Sequence, residues 1–242
     1  MSENKRVAFI PLESNPSTFT SLARNLGLSE GLSFADVYSL TDEDLLAFIP
    51  RPAHALILIY PTSDDPAKRN DNAYVDARET PDGPVLYIKQ TIKNACGLMA
   101  LLHSVLNGSA RKHITPGSNL AKLLEEATPL DPLKRAQLLI ESPSLAAAHK
   151  QAAEAGETEA PDAESEVDYH YIAFVRGNGE DKGVYEMDGS RTGWRQVAQL
   201  QAENGEDLLA SEEVRNAVGK MMADTGSVHC GIVALVEGES AV

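Results

Sequence analysis

The sequence predicts an α/β (α+β) fold in one domain, and three observations carry that reading. The 242 residues suffice to bury one substantial core, and 43% apolar with 24% charged residues is the usage of a folded globular protein. Short apolar runs of strand length also alternate with segments of helical spacing. Taking the elements in order, Arg6–Ile10 is a strand-like run ended by the turn-forming PLESNPS. Ser17–Leu26 carries helix-compatible spacing with Gly27 as its stop, and Phe34–Leu40 reads as a short strand or turn. TDEDLLAFI, residues 41–49, reads as a helix capped by Thr41 with Asp44 at the capping-box position, ended by Pro50 and Pro52. HALILIYP, His54–Pro61, is a fully buried strand.

Residues Ser63–Gly83 are polar, rich in turn formers and without periodicity, which predicts a surface loop. VLYIKQ leads from it into QTIKNACGLMALLHSVLNG, residues 90–108, a strongly apolar helical pattern with a cysteine just inside its start and Asn-Gly as its stop. Leu120–Ala127 and Pro132–Ile140 are two outer helices, the second with its proline in the first turn after Asp131. Over Ser142–Glu166 the composition shifts to Ala, Glu and small polar residues, predicting a linker or lid with a short helix ending near Gly156. Tyr169–Arg176 and Gly183–Met187 flank the turn-rich RGNGEDKG as a hairpin; Glu206–Ala223 reads as a helix and CGIVALVE as a closing buried strand.

A formal charge of −15, from 21 Lys+Arg against 36 Asp+Glu, excludes a phosphate-backbone partner and favours a basic ligand. MSENKRVAFIPLES lacks the apolar core of a signal peptide, and no run approaches the ~18 apolar residues of a membrane helix, so an intracellular protein without a membrane partner is expected. Cys96 and Cys230 are too few for a disulfide framework or an all-cysteine zinc site.

Cys96 is either a small core-filling hydrophobe or a nucleophile. Its place near a helix N-terminus, where free N–H groups and the dipole favour a thiolate, with Asn94 as cap and Gly97 permitting close backbone approach, weighs toward reactivity. A nucleophilic thiol needs a base, and the base needs an acceptor to hold its ring. Of six histidines, His103 lies among Leu101, Leu102 and Val105 as a packing residue, while His54, His113, His149 and His229 sit at helix or strand ends with no carboxylate arrangement in view. His170 differs: it opens the first hairpin strand and Asp188 closes the second, with Gly179 at their midpoint inside the turn, so the two should be near cross-strand neighbours. An ordinary surface His–Asp pair is the alternative. Gln90, six residues before Cys96, is either a routine polar residue at a strand end or the amide donor of an oxyanion hole.

KQTIKNACG with the following LLHSVLN, then VDYHYIAFV and VYEMDG, resemble the ubiquitin C-terminal hydrolase family of cysteine peptidases. FIPLESNP, FADVYSL, LLAFIPRPAHALILIYP and GETEAP extend the resemblance over nearly the whole chain. It implies a papain-like cysteine peptidase fold, with a central antiparallel sheet flanked by helices and a knotted backbone. By position in the matching motifs, Cys96 would be the nucleophile, His170 the general base and acid, Asp188 the carboxylate that orients it, and Gln90 the oxyanion donor. Residues 142–166 would form the family's active-site crossover loop, restricting what leaves from the ubiquitin C-terminus to small adducts or flexible peptides. Glu13 and Asp36 are candidates for contacting the basic ubiquitin tail, with solvated surface acids as the alternative. The resemblance further implies a cytoplasmic, or also nuclear, monomer that requires no metal or cofactor. The same chemistry on a modifier such as NEDD8, or non-catalytic ubiquitin binding, are the competing readings. Two departures stand out: Phe9-Ile10 precedes Pro11 where small members carry a tryptophan, and the RGNGEDKG turn is longer than usual.

Overall fold

The computed structural model describes residues 7–62, 74–78, 83–158 and 160–238. Its centre is one six-stranded, wholly antiparallel sheet built from β1 (Leu32–Asp36), β2 (Ala53–Pro61), β3 (Tyr169–Arg176), β4 (Gly183–Met187), β5 (Trp194–Gln199) and β6 (Gly231–Glu237), in the order β1-β6-β2-β3-β4-β5. Helices α1 (Pro16–Leu26), α2 (Glu43–Ala47), α3 (Cys96–Val105), α4 (Asn119–Ala127), α5 (Pro132–Ile140), α6 (Pro143–Glu154) and α7 (Glu212–Asp224) flank it. Among the described residues no helix is long and apolar enough to cross a membrane.

Both faces of the central strands are covered, and the two-residue period of a strand sorts its side chains between two cores. In β2, Ala55, Ile57 and Ile59 join the core under α1 and α3, while Leu56 and Leu58 join the one shared with Val214 and Val218 of α7. This is why HALILIYP reads as unbroken apolar sequence rather than as an alternation. The sheet flanked by helices agrees with the expected fold class.

Local chemistry sets most helix ends. α1 starts where Asn15 accepts the Ser17 N–H at 2.8 Å and stops at Gly27, whose φ of 116° is left-handed. The predicted Thr41 cap is corrected to Asp42, whose carboxylate accepts from Asp44 and Leu45; a carboxylate also complements the helix dipole. The helix expected from Glu206 starts only at Glu212, with Ser211 as its cap. Leu208 and Leu209 are instead buried in a preceding irregular segment, and Asp207 is tied to Arg51 and to the Ala53 N–H.

Other segments add to or differ from the expected elements. Val7–Ile10 forms a single parallel bridge, Ala8 to Lys93, not a strand. The short helix expected to end near Gly156 is α6, about half of the segment 142–166, capped by Ser142 and packed on α1 and α5 rather than free as a linker, with 155–158 and 160–168 as loop. β5 was missed because WRQVAQ is too polar and half-exposed to show a period. The predicted loop Ser63–Gly83 lies mostly outside the described residues; within it Ala77 is buried, and Val75 and Ala77 donate to the Trp194 and Thr192 carbonyls.

Candidate active site

Cys96 is the first residue of α3, a helix in which all ten residues are buried between α1 and the β2–β3 layer. No side chain caps its N-terminus. Leu98, Leu101, Leu102 and Val105, each without exposed surface, contribute ~2 kcal/mol apiece on burial, more than the ~1 kcal/mol a cap supplies. Packing therefore sets this helix in place, and its first N–H groups have no partner within the helix. Gly97 lets it lie tight, since a Cβ there would stand 3.1 Å from the Leu12 Cβ.

Asn94 is not the cap that the sequence suggested. Its φ of 59° puts it in the left-handed region, which asparagine tolerates better than most residues. Its amide donates to the Ala163 and Ser165 carbonyls at 2.9 and 2.7 Å, and the neighbouring Lys93 amine donates to Glu164 O. The turn that delivers Cys96 thus also anchors the loop 155–168 over it. Asn94→Ala is expected to lose both hydrogen bonds and strain the left-handed backbone by ~1–2 kcal/mol, whereas Asn94→Gly loses the bonds alone. Hydrogen exchange of residues 160–168 should rise in both, with the larger melting-temperature loss in the alanine variant.

The His170–Asp188 pair forms as expected, but by a different register. Ala173 pairs with Met187 and Phe174 with Glu186, which centres the hairpin on residue 180 rather than on Gly179. His170 and Asp188 are therefore diagonal, not opposite. A slip of two residues keeps parity, so both stay on one side of the sheet, and His170 Nε2 reaches Asp188 Oδ1 at 2.8 Å. Asp188 is 2% exposed; its Oδ1 also accepts the Ser190 N–H at 2.9 Å and its Oδ2 meets Arg191 Nε at 3.2 Å. Burial alone would push the Asp188 carboxyl up, yet His170 and Ser190 hold it well below the usual carboxylate range. Burial would likewise lower His170, but hydrogen bonds and charge from Asp188 and Cys96 win and push it up to about 10. The Cys96 side chain thus acts on the same ring, raising its pKa together with Asp188. With Nε2 committed to Asp188, Nδ1 is the nitrogen left for the thiol.

Gln90 lies in 85–90, a segment without a strand ladder whose backbone groups are satisfied mostly by side chains, as buried backbone must be. Leu86 N–H donates to Asn107 Oδ1, Ile88 N–H to His103 Nε2 at 3.1 Å, and the Arg135 guanidinium donates to Tyr87 O. His103 is a packing histidine, as expected: it stacks on Tyr87, and burial pushes its pKa down to about 4, leaving a neutral ring able to accept. Gln90 N–H then donates to Gly189 O at 2.8 Å, and the Tyr87 hydroxyl bridges the Asp188 and Arg191 carbonyls. These supports join the Gln90 segment to the hairpin end that carries Asp188, and sequence reading missed them because each is a long-range contact. Gln90 Nε2 itself donates to Ile92 O at 3.2 Å, while its buried Oε1 has no partner.

Two clefts lead to this centre and share Glu13 and Ser14. One, of about 580 Å³, is lined by Cys96, Tyr171, Thr158, Ala160, Pro161 and residues 166–169. The other, of about 1050 Å³, holds Asp36, Tyr38, Leu45 and Phe48. Glu13 Oε2 accepts the Glu157 N–H at 2.8 Å, so this acid pins the loop rather than standing solvated. Asp36 is exposed at the end of β1, with partial burial raising its pKa. A third cavity, of about 590 Å³, opens past His170 and Asp188 toward α7.

The family model described as "Ubiquitin carboxyl-terminal hydrolase, family 1" matches residues 9–223. The ubiquitin carboxyl-terminal hydrolase YUH1 of Saccharomyces cerevisiae is 33% identical over 91% of this chain and 90% of its own length. A ubiquitin carboxyl-terminal hydrolase of Aplysia californica is 37% identical over 76% of this chain and 82% of its own. Among solved structures, the Trichinella spiralis UCH37 catalytic domain bound to ubiquitin vinyl methyl ester superimposes with a TM-score of 0.74 at 21% identity, over 96% of both chains, and so shares the fold.

Proposed function

The chain belongs to family 1 of the ubiquitin carboxyl-terminal hydrolases, and from that membership we propose that it is a deubiquitinating thiol peptidase acting at the C-terminal glycine of ubiquitin through Cys96. The observation that carries this reading is the imidazole of His170, which has the buried Asp188 carboxylate on Nε2 and the Cys96 side chain as its other partner.

In the first half-reaction the Cys96 sulfur, its proton already held on the His170 ring, adds to the glycine carbonyl. The oxyanion that forms lies against the Cys96 backbone N–H, free at the start of α3, and the Gln90 amide swings from Ile92 O to join it. His170 returns its proton to the leaving amine, alcohol or thiol, and the C–X bond breaks. Water then loses a proton to His170, attacks the thioester and releases the ubiquitin carboxylate and the free thiol. Gln90→Ala is expected to lower kcat about 10²- to 10³-fold with KM little changed; an effect on KM alone would remove Gln90 from the oxyanion hole.

The basic ubiquitin tail runs through the larger cleft past Asp36 and Glu13 into the Cys96 cleft, consistent with the net charge of −15. Tyr38 and Phe48, 74% and 80% exposed at the rim, offer an apolar docking face. The loop 155–168 walls the path and admits only small or flexible leaving groups.

The test is to incubate the protein with ubiquitin bearing a C-terminal electrophile and map the adduct by peptide mass spectrometry. Modification confined to the peptide containing Cys96 supports the assignment. An adduct on Cys230, or binding of the probe with no adduct, sinks it. A NEDD8 probe run in parallel separates the two modifiers.

A further inference from the structure

Three side chains far apart in sequence converge at the end of the sheet away from Cys96. His54 lies at the start of β2, His113 ends the 3-10 turn Gly108–His113 that follows α3, and Glu237 is the last residue of β6. Ligand-capable atoms of all three lie within 4.8 Å of one another. His54 Nε2 stands 3.5 Å and His113 Nε2 3.9 Å from Glu237 Oε1. Tyr60, which pairs with His170, is six residues further along β2 than His54, or about 20 Å at ~3.3 Å per residue. The cluster is therefore separate from the catalytic centre.

His54 carries the inference. Its ring is 1% exposed, its Nδ1 is bonded to Ser109 Oγ at 2.7 Å, and its buried Nε2 has no hydrogen-bond partner. An orphaned buried nitrogen costs about 1–3 kcal/mol, and a separation of 3.5 Å from the carboxylate is too long to relieve it. Metal ligation resolves this. Donors bound to one tetrahedral ion at about 2.0–2.1 Å stand roughly 3.4 Å apart, close to the two spacings from Glu237, whose side chain is 46% exposed, and His113 is only partly buried and can adjust toward His54. An outer hydrogen bond on one ring nitrogen that leaves the other for the metal is also the usual arrangement of a ligating histidine. Of the nearby charges, Glu206 is already held by Lys112 and Arg176.

We propose that His54 and His113, through Nε2, and Glu237, through its carboxylate, bind a divalent transition-metal ion of the zinc class, with water in the fourth position. The ion ties β2, the turn after α3 and β6 together and takes no part in thiol chemistry.

Cobalt(II) and zinc(II) added to the whole chain test this, because the catalytic Cys96–His170 pair is the competing site. The expected result is one bound ion per chain, with cobalt bands of nitrogen and oxygen ligation and no thiolate charge-transfer band, unchanged in Cys96→Ser and Cys230→Ser. His113→Ala and Glu237→Gln, at partly exposed positions, should each weaken zinc binding at least tenfold in calorimetry, with metal-free melting temperatures confirming that they fold. Ser109→Ala should weaken it about tenfold. The proposal is overturned if neither metal binds, if binding survives both His113→Ala and Glu237→Gln, or if Cys96→Ser abolishes it.

Discussion

Cys96→Ser is expected to lower hydrolysis of a C-terminal ubiquitin amide by roughly 10⁴- to 10⁶-fold while leaving fold and ubiquitin binding intact. A serine fills almost the same space at a position that is 6% exposed, so the core under α3 should not reorganise. What changes is the nucleophile: a hydroxyl is far harder to ionise than a thiol and gains little from one imidazole tuned to a sulfur partner. Cys230→Ser is the matched control, because Cys230 lines the same cleft as Cys96 but its sulfur bonds Thr225 Oγ1 and Ser227 O, and it should retain nearly full activity. Steady-state kinetics with calorimetric binding of ubiquitin checks both parts. Retained turnover in the Cys96→Ser protein would remove Cys96 from the nucleophile's role, whereas ubiquitin binding without turnover in the parent would revive the reading of the chain as a ubiquitin-binding protein without catalysis.

The second large effect is expected from Asp188→Ala, on stability and activity together. Removing one partner of a buried ion pair costs about 3–5 kcal/mol, because His170 and Arg191 are left facing a hole; for a chain of this size that is a melting-temperature fall on the order of 10 °C. Asp188→Asn keeps the shape and one acceptor, so it should melt closer to the parent while still losing about 10²- to 10⁴-fold in kcat/KM, through a ring that is a weaker base and less firmly held. The pH dependence follows from the signs. His170 is raised to about 10, so its contribution is fully present below an unfolded value near 6.5 and is lost as pH rises through about 10. Asp188 is depressed, so its contribution is present above about 3.9 and is lost as pH falls through its folded value. Unfolding free energies measured between pH 4 and 10 should therefore differ most between parent and Asp188→Ala from about pH 4 to 6.5, and converge as pH rises toward about 10. A constant difference across that range would separate the stability effect from the ion pair.

The sequence by itself determined what depends on neighbours along the chain. β2, β3, β4, β6 and most helices followed from apolar period and capping residues, and the placing of Cys96 at a helix start with His170 and Asp188 at strand ends needed only those elements. The tertiary structure decided whatever depends on contacts between distant segments. Asn94 looked like a cap because caps are local, but its amide is claimed by carbonyls some seventy residues away. The hairpin register differed by two because the pairing is settled by how both strands pack into the sheet, and midpoint arithmetic does not see that. β5 was invisible because its reason to be a strand is the edge of β4, not its own composition. The same holds for His54 and His113, which had no carboxylate in view until β6 brought Glu237 alongside β2. Backbone propensity and apolar period are encoded within a few residues, whereas hydrogen-bond partners, register and the meeting of side chains from separate elements exist only once the chain has closed on itself.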